Sequence, residues 1–255
     1  MTRVIAVCSG KGGVGKTTIT ANLGSQLAKM GKDVIIFDAN LTTPNLSMHL
    51  GMPLYPVTLH DVLKGRASMS QAIYEHENGL RIVPAGISLR DLRGVDSRDI
   101  STAMLELLGS TDILLVDVAA GLGKEAMSAM EAADEMLLVV NPEMTSVTDA
   151  LKAAKLAEQV GTRVSGVVIN RRRGLEHEMK TEDIQVMLDG AEILAEIPED
   201  VSVQKSVAAR RPVVLHAPDS DAAYHMRRLA AGVAGVAFTE KIPFKKRLWK
   251  LLTNR

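Results

Sequence analysis

One glycine-rich segment near the start of the chain constrains its fold more than any other feature. Residues 10–18 read Gly-Lys-Gly-Gly-Val-Gly-Lys-Thr-Thr, between an apolar run at Val4–Cys8 and a helical pattern that starts at Lys16. Residues 10–17 match G-x-x-x-x-G-K-[ST], in which the glycines let backbone N–H groups approach phosphate oxygens closely. The segment therefore predicts a strand, a phosphate-binding loop and a helix, in that order.

Two side chains of this loop have a predicted role in phosphate chemistry. Lys16 is expected to reach the β- and γ-phosphates of a nucleotide, and the Thr17 hydroxyl to ligate Mg²⁺. The helix N-terminus adds a partial positive charge. We therefore expect ATP or ADP and Mg²⁺ as ligands, against the alternative of a glycine-rich turn that binds nothing. The predicted phosphate-binding residues are Gly10, Lys11, Gly12, Gly13, Val14, Gly15, Lys16, Thr17 and Thr18.

Short apolar runs and longer helical patterns alternate along the chain. The runs are almost continuously apolar, which is typical of strands buried on both faces of a parallel sheet. The predicted strands are Val4–Cys8, Val34–Phe37, Arg81–Pro84, Ile113–Val116, Met136–Val140, Val164–Ile169 and Ile193–Ile197. The predicted helices are Lys16–Met30, Ser70–Glu75, Thr102–Leu108, Lys124–Ala133, Ser146–Val160 and Val201–Ala209.

Local signals support several helix boundaries. Ser146 and Asp149 have the Ser-x-x-Asp spacing that caps a helix start, and Gly31 and Gly161 lie where helices are expected to end. Together the alternation and these boundaries indicate an α/β fold: a doubly wound, mostly parallel sheet with helices on both faces. In such sheets ligands bind at the carboxyl ends of the strands.

Two acidic residues follow predicted strands directly. Asp117 comes after Ile113–Val116, and Asp38 comes after Val34–Phe37. Because the carboxyl ends of parallel strands share one edge of the sheet, both acids are expected near the phosphate loop. Thr17, Asp38 and Asp117 form the predicted magnesium site, with a helix cap as the alternative role for Asp117.

Composition excludes several classes of protein. The formal net charge is zero, which gives no global attraction to nucleic acid, so DNA is not an expected partner. The single cysteine, Cys8, excludes a disulfide framework and an all-cysteine metal site within one chain, and it fits a reducing cytoplasm. We expect no signal peptide, and no apolar run approaches the roughly 20 residues of a transmembrane helix.

The phosphate loop also carries a family resemblance. Lys11–Thr18 resembles the deviant Walker A motif of the MinD/ParA group of ATPases, with Lys11 as its extra signature lysine. The resemblance covers essentially the whole chain. Further similar strings are Leu59-His60-Asp61-Val62-Leu63, Val83-Pro84-Ala85-Gly86, Ala133-Asp134-Glu135, Asn141-Pro142-Glu143 and Ile197-Pro198-Glu199-Asp200.

The resemblance implies an ATP-bound homodimer with the nucleotide sandwiched between two subunits. Lys11 would cross the interface to the partner's phosphates, and Asn170 would contact the adenine edge. The segment made of Pro198, Glu199 and Asp200 would border the base. Asn170 also ends a predicted strand at the ligand edge, and its amide can both donate and accept; a loop residue that satisfies its own backbone is the alternative.

Two positions depart from the family pattern. The family has two aspartates one residue apart after the second strand, and the second is taken to position the attacking water; here that position is Asn40. An amide can hold a water but cannot take its proton, so we expect slow or partner-stimulated hydrolysis. The other predicted catalytic residues are Lys11, Lys16 and Asp38. Ala119 replaces the family's proline beside the γ-phosphate switch, Ala120 and Gly121.

The C-terminal segment differs from the rest of the chain. We divide the chain into an ATPase domain, residues 1–238, and a basic amphipathic tail, residues 239–255. Residues 241–255 contain six basic and no acidic residues. Such a segment is expected to fold on an anionic membrane surface, and the alternatives are a helix packed on its own domain or a solvated tail. The predicted membrane-contacting residues are Phe244, Lys245, Lys246, Arg247, Leu248, Trp249, Lys250, Leu251 and Leu252.

These features predict an ATPase switch on the inner face of the cell membrane. It would dimerise with ATP, bind the membrane, recruit a protein effector and position a cellular assembly, with septum-site determination as the family's best-known task. A ParA-type partition ATPase and a flagellum- or pilus-positioning ATPase are the alternatives. An iron–sulfur cluster carrier is disfavoured because such proteins need paired cysteines.

Overall fold

The computed structural model describes residues 1–52, 54–88 and 90–239. Its strands form one eight-stranded sheet. They are β1 Arg3–Cys8, β2 Val34–Asp38, β3 Tyr74–Glu75, β4 Arg81–Val83, β5 Ile113–Asp117, β6 Glu135–Val140, β7 Arg163–Arg172 and β8 Ile193–Pro198.

Helices connect these strands and cover the sheet. They are α1 Lys16–Lys29, α2 Leu46–His49, α3 Leu59–Leu63, α4 Asp99–Leu105, α5 Lys124–Glu131, α6 Met144–Gln159, α7 Thr181–Met187, α8 Val201–Ala208, α9 Val213–His216 and α10 Asp221–Val233. One turn of 3-10 helix lies at Met69–Ala72. No helix within the described residues is both long enough and apolar enough to cross a membrane.

The strand order is β3-β4-β2-β5-β1-β6-β7-β8, and all pairs are parallel except the edge pair β3–β4. The phosphate loop follows the central strand β1. β5 lies between β1 and β2, and its last residue, Asp117, is in register with Val7 of β1 and Asp38 of β2. This topology brings the end of β1 and the two predicted acids to one edge of the sheet.

Successive residues of β1 belong to opposite cores. Val4, Ala6 and Cys8 pack in the cluster that contains the apolar residues of α4, α5 and α6, whereas Ile5 and Val7 pack with α1 and α10. A strand buried on both faces explains why its sequence is apolar throughout. The predicted doubly wound α/β fold is confirmed.

Seven strands were predicted within a few residues of their observed bounds, and β3 was missed. The predicted helix Ser70–Glu75 is wrong: the 3-10 turn ends at Ala72, and β3 pairs antiparallel with β4. Tyr74 is held in this strand because its ring packs against Tyr55 at 4.5 Å and its hydroxyl donates to the Val57 carbonyl at 2.9 Å. These contacts come from a distant segment, which local helical periodicity does not report.

Two helix starts also differ from the sequence prediction. α4 begins at Asp99 rather than Thr102, and α6 begins at Met144, two residues before the predicted cap. The Ser146 hydroxyl accepts instead from the backbone N–H of Asn141 at 3.0 Å, which closes the turn before the helix. The predicted ends at Gly31 and Gly161 are confirmed, since both residues have left-handed backbone angles.

Candidate nucleotide site

The phosphate loop is shaped by direct contact with the backbone of α6. A Cβ at Gly10 would lie 2.0 Å from the carbonyl oxygen of Asp149, so no larger residue fits there. Gly13 and Gly15 have φ of 78° and 99°, in the left-handed region that favours glycine. The loop therefore holds its form through packing and backbone angles before any ligand arrives.

Lys16 and Lys11 differ in exposure. Lys16 opens α1 and is only 8% exposed; burial lowers its pKa, and the neighbouring Asp117 carboxylate opposes this effect. The Lys11 side chain is 48% exposed, and its Nζ lies 3.9 Å from a carboxylate oxygen of Glu143. Lys16 lines a cavity of about 600 Å³ together with Gly12, Gly13 and Thr17. One lysine thus lies inside the phosphate site, and the other lies at its rim.

The predicted magnesium residues come together at the edge of the sheet. The Thr17 hydroxyl donates to Asp117 Oδ2 at 2.7 Å, and the Thr20 hydroxyl lies 3.4 Å from Oδ1. The partners of the Asp117 carboxylate are thus side chains, and the helix-cap alternative receives no support. Asp38 is 0% exposed, and its Oδ2 has no hydrogen-bond partner among the described residues.

Two buried carboxylates, Asp38 and Asp117, lie opposite each other on neighbouring strands, and their charges repel. Burial and the facing Asp117 charge raise the pKa of Asp38 well above its ordinary value, while the backbone N–H groups of Asn40 and Leu46 oppose the shift. Burial also raises the pKa of Asp117, and Thr17 and Lys16 lower it. A hydroxyl and two carboxylates suit Mg²⁺. The unpaired Asp38 oxygen and the acidic pair therefore fit the ion.

The predicted γ-phosphate switch lies against the phosphate loop. Ala120 lines the same cavity as Lys16, and the Gly121 N–H donates to the Ser9 carbonyl at 3.3 Å. Gly121 has φ of 83°, which explains the glycine at this turn. Because Ser9 directly precedes the phosphate loop, a movement at the start of that loop would also move residues 120–121.

Asn40 lies in the same cavity but uses its amide locally. Its Nδ2 donates to the Thr43 carbonyl at 2.7 Å, and its Oδ1 accepts from the Thr43 N–H and hydroxyl at 3.2 and 3.1 Å. Its own N–H donates to Asp38 Oδ1 at 3.2 Å. The side chain thus closes a turn, in addition to the water-holding role that the sequence predicts.

The residues predicted to contact adenine line a second cavity of about 460 Å³, next to Gly15 and Thr18. Asn170, Pro198, Glu199 and Asp200 all border it. The Asn170 Nδ2 donates to the Val14 carbonyl at 2.7 Å, so the amide also clamps the phosphate loop. Sequence reasoning missed further lining residues, which come from α2, α8 and α10: His49, Val203, Gln204, Val207 and Met226.

Asp200 has a clear structural role besides bordering this cavity. Its carboxylate caps α8 by accepting from the Ser202 N–H at 2.8 Å, and it also accepts from the Ala222 N–H of α10 at 3.1 Å. Both bonds satisfy helix N-terminal donors. The predicted base contact at Asp200 therefore competes with two existing backbone bonds.

Three arginines, residues 171–173, follow Asn170, and from the sequence a solvated loop is favoured there over a partner contact or a nucleic-acid patch. The structure shows that this is wrong for Arg172. Arg172 ends β7 and its side chain is 18% exposed, with ion pairs to Glu196 at 3.0 Å and Glu178 at 3.7 Å. Arg171 and Arg173 are about half exposed and lie within 4.0 Å of Glu199. The triplet thus neutralises acids of its own domain, which gives no support to a nucleic-acid surface.

The amphipathic tail, Phe244–Leu252 with its flanking residues, lies outside the described residues, so its predicted membrane contact stays a prediction. The domain boundary between residues 238 and 239 also stays a prediction. Cys8 is 0% exposed in the core of the sheet. Its burial favours a packing role for the thiol and excludes Cys8 as a cluster ligand at the surface.

A cradle of backbone N–H groups opens into α1 beside two buried acids, and one Asp38 oxygen has no hydrogen-bond partner among the described residues. This arrangement suits a nucleoside polyphosphate and a divalent cation. We assign the fold and site to the P-loop nucleotide-binding proteins. Residues 1–234 match the ParA family, described as NUBPL iron-transfer P-loop NTPase. The chain belongs to this ParA family of P-loop NTPases, and its relatives include MinD/ParA-type ATPases.

Two of the similar proteins come from an archaeon and a bacterium. An uncharacterised ATP-binding protein of Methanocaldococcus jannaschii is 38% identical over 246 residues, covering 96% of this chain and 93% of the relative. The antiactivator FleN of Pseudomonas aeruginosa is 35% identical over 241 residues, covering 91% of this chain and 86% of FleN.

A solved structure agrees with both fold and family. The septum site-determining protein MinD of Pyrococcus horikoshii, complexed with Mg-ADP, has a TM-score of 0.88 and 38% sequence identity. The match covers 91% of this chain and 96% of that chain. The family resemblance seen in the sequence is therefore confirmed.

Proposed function

We propose that this protein is an ATP-gated switch of the MinD type: it dimerises with ATP, binds an anionic membrane through its C-terminal tail and positions a cellular assembly, with septum-site determination as that task. The observation that carries the proposal is the pair of lysines in one loop. Lys16 is buried in its own phosphate cavity, whereas Lys11 is half exposed at the rim. A second subunit gives Lys11 a phosphate to bind.

The Lys11–Glu143 ion pair is no obstacle to this change of partner. Both side chains are about half exposed, and the separation is 3.9 Å. Exposed pairs of this kind contribute about 0–1 kcal/mol because water screens them. A nucleotide phosphate carries more charge and offers charge-assisted hydrogen bonds, so it competes well for Lys11.

The proposed hydrolysis uses the residues at the sheet edge. Mg²⁺, held through Thr17 and the acids Asp38 and Asp117, would neutralise charge on the phosphate oxygens. Lys16 holds the β- and γ-phosphates in place. Asn40 can orient a water but accepts no proton from it, so the proposed turnover is slow unless an effector accelerates it.

The tail supplies the membrane step. Each basic residue near an anionic leaflet contributes about 1 kcal/mol, so one tail of residues 241–255 gives weak binding. Two tails in one ATP-bound dimer add avidity without any new contact. Membrane binding would therefore depend on ATP.

One sedimentation experiment tests the proposal. The full chain is mixed with ATP or ADP and with either anionic liposomes or DNA. We expect pelleting with liposomes and ATP only, and loss of pelleting on deletion of residues 243–255 or in Lys11→Ala. Pelleting of the truncated chain, or pelleting with ADP equal to that with ATP, contradicts the proposal. Sedimentation by DNA favours a ParA-type partition function.

A second candidate function shares the switch but not the assembly. FleN, to which the chain is similar over 91% of its length, is named as an antiactivator. Relatives of this chain thus carry names other than septum-site determination, and we keep the flagellum- or pilus-positioning alternative as the second candidate. Deleting the gene distinguishes the two: misplaced septa support septum-site determination, whereas normal division with altered number or place of surface appendages supports the second candidate.

A further inference from the structure

Glu125 stands out among acids that the proposed mechanism does not use. It lies in the first turn of α5, four residues after the γ-phosphate switch at Gly121. Sequence reasoning gave it no role. Its side chain contacts the loop of residues 40–43, which follows β2 and includes Leu41, 84 residues earlier in the chain.

Both oxygens of the Glu125 carboxylate bind this 40–43 loop. Oε2 accepts from the Leu41 N–H at 3.2 Å, and Oε1 accepts from the Thr42 hydroxyl at 2.5 Å. Leu41 is 2% exposed and lies in the same core cluster as Ala126, so packing reinforces the two bonds. A carboxylate that accepts two bonds fixes the loop in direction as well as in distance.

We call the two hydrogen bonds of Glu125 to the 40–43 loop the tether, and Thr42 and Thr43 link it to Asn40. Thr43, next to Thr42, makes all three side-chain bonds of Asn40. Asn40 also donates its N–H to Asp38, an acid of the predicted magnesium site. Glu125 thus joins α5, which begins three residues after Gly121 of the switch, to the loop that carries Asn40.

We propose that Glu125 is a positioning residue: it holds the 40–43 loop in place beside Asp38 and Asp117, and it couples that loop to the γ-phosphate switch. This inference rests on the proposed ATPase function. It assigns to Glu125 no contact with the nucleotide or with the attacking water. Its effect is to place Asn40 and Asp38 correctly when the γ-phosphate is bound.

Hydrogen exchange on the nucleotide-free full chain tests the tether itself. In Glu125→Ala, the amide of Leu41 loses its acceptor, so peptides over residues 40–43 should exchange about tenfold faster. Glu131→Ala, at the exposed far end of the same helix, is the matched control and should leave this exchange unchanged. Unchanged exchange in Glu125→Ala overturns the inference.

Kinetics test the coupling. Glu125→Ala should lower kcat at saturating ATP about tenfold, while ADP affinity changes less than twofold, because the phosphate loop is intact. Glu125→Gln keeps one acceptor oxygen and should recover part of the rate. Thr42→Val removes one bond and should have a smaller effect that disappears in the Glu125→Ala background. If Glu125→Ala fails to fold, these two variants carry the test.

The outcomes separate this inference from the proposed function. A wild-type chain that hydrolyses ATP, with Glu125→Ala equal to it in kcat, overturns the positioning role and leaves the ATPase intact. A fall in ADP affinity equal to the fall in kcat also overturns it, because the effect is then on general binding. Faster loop exchange in Glu125→Ala supports the tether even where the wild-type chain neither binds nor hydrolyses ATP.

Discussion

The two sides of the nucleotide site are built in different ways. The phosphate side is formed by the backbone of a glycine-rich loop: Gly10 lies against the main chain of α6, and Gly15 lies against the side-chain amide of Asn170. The magnesium side is held by carboxylates that accept from the 40–43 loop: Asp38 accepts from the Asn40 N–H, and Glu125 accepts from the Leu41 N–H. One Asp38 oxygen has no hydrogen-bond partner among the described residues. We therefore expect the cradle to change little when a nucleotide binds, whereas the free Asp38 oxygen gains a partner there.

Replacing Gly10 should break the phosphate side and has the largest expected effect. Gly10→Ala places a Cβ 2.0 Å from the Asp149 carbonyl oxygen, and backbone there cannot move aside. Overpacking of this kind costs about 1–3 kcal/mol, and we expect ATP affinity to fall about 100-fold by isothermal titration calorimetry. Gly232→Ala, where a Cβ meets open space in α10, is the control. Normal affinity in Gly10→Ala would show that the cradle is adaptable.

Replacing Asp117 should separate stability from catalysis on the magnesium side. Asp117→Asn keeps an acceptor for the Thr17 hydroxyl but removes one of two buried like charges. We expect a higher Tm without Mg²⁺, because repulsion of Asp38 is relieved, and a loss of Mg²⁺-dependent ATP turnover of about 100-fold. A lower Tm with unchanged turnover contradicts the cation site.

Replacing Asn40 tests whether the side chain at this position of the 40–43 loop limits the rate of hydrolysis. Asn40→Asp keeps the oxygen that accepts from Thr43 but loses the amide that donates to the Thr43 carbonyl. The new carboxylate can take a proton from water, and we expect turnover to rise a few-fold, about 3- to 10-fold. Phosphate release at saturating ATP measures it. An unchanged rate contradicts the hydrolytic role given to this position.

Replacing Asp200 should have the smallest effect on nucleotide binding. Asp200→Ala removes the α8 cap and the bond to Ala222, which costs about 1–2 kcal/mol of unfolding free energy. Affinity for ATP should change by less than about threefold. Ser220→Ala, which removes the cap of α10 away from this cavity, is the control for denaturant unfolding. A large loss of affinity with normal stability would instead restore the base contact that the sequence predicts.

The sequence predicted those parts of the site that are local or fixed by topology. The strand, loop and helix around residues 4–30 are adjacent in the chain, and each has its own pattern. Asp38 and Asp117 were predicted to meet because both follow buried strands, and parallel strands end at one edge of the sheet. Periodicity failed at β3, where pairing with β4 and the Tyr55 contact decide the conformation.

The amino-acid sequence was enough to predict the glycine-rich loop between β1 and α1, the position of Asp38 and Asp117 at one edge of the sheet, and the family. Glycine positions, a buried-strand pattern and a helix start act over a few residues, so they can be read directly. The hydrogen bonds between side chains and residues far away in the chain became known only from the tertiary structure. The Asn170 amide meets Val14 across 156 residues, and Glu125 meets Leu41 across 84. Such bonds depend on chain segments that the tertiary fold brings together, so no local sequence pattern predicts them.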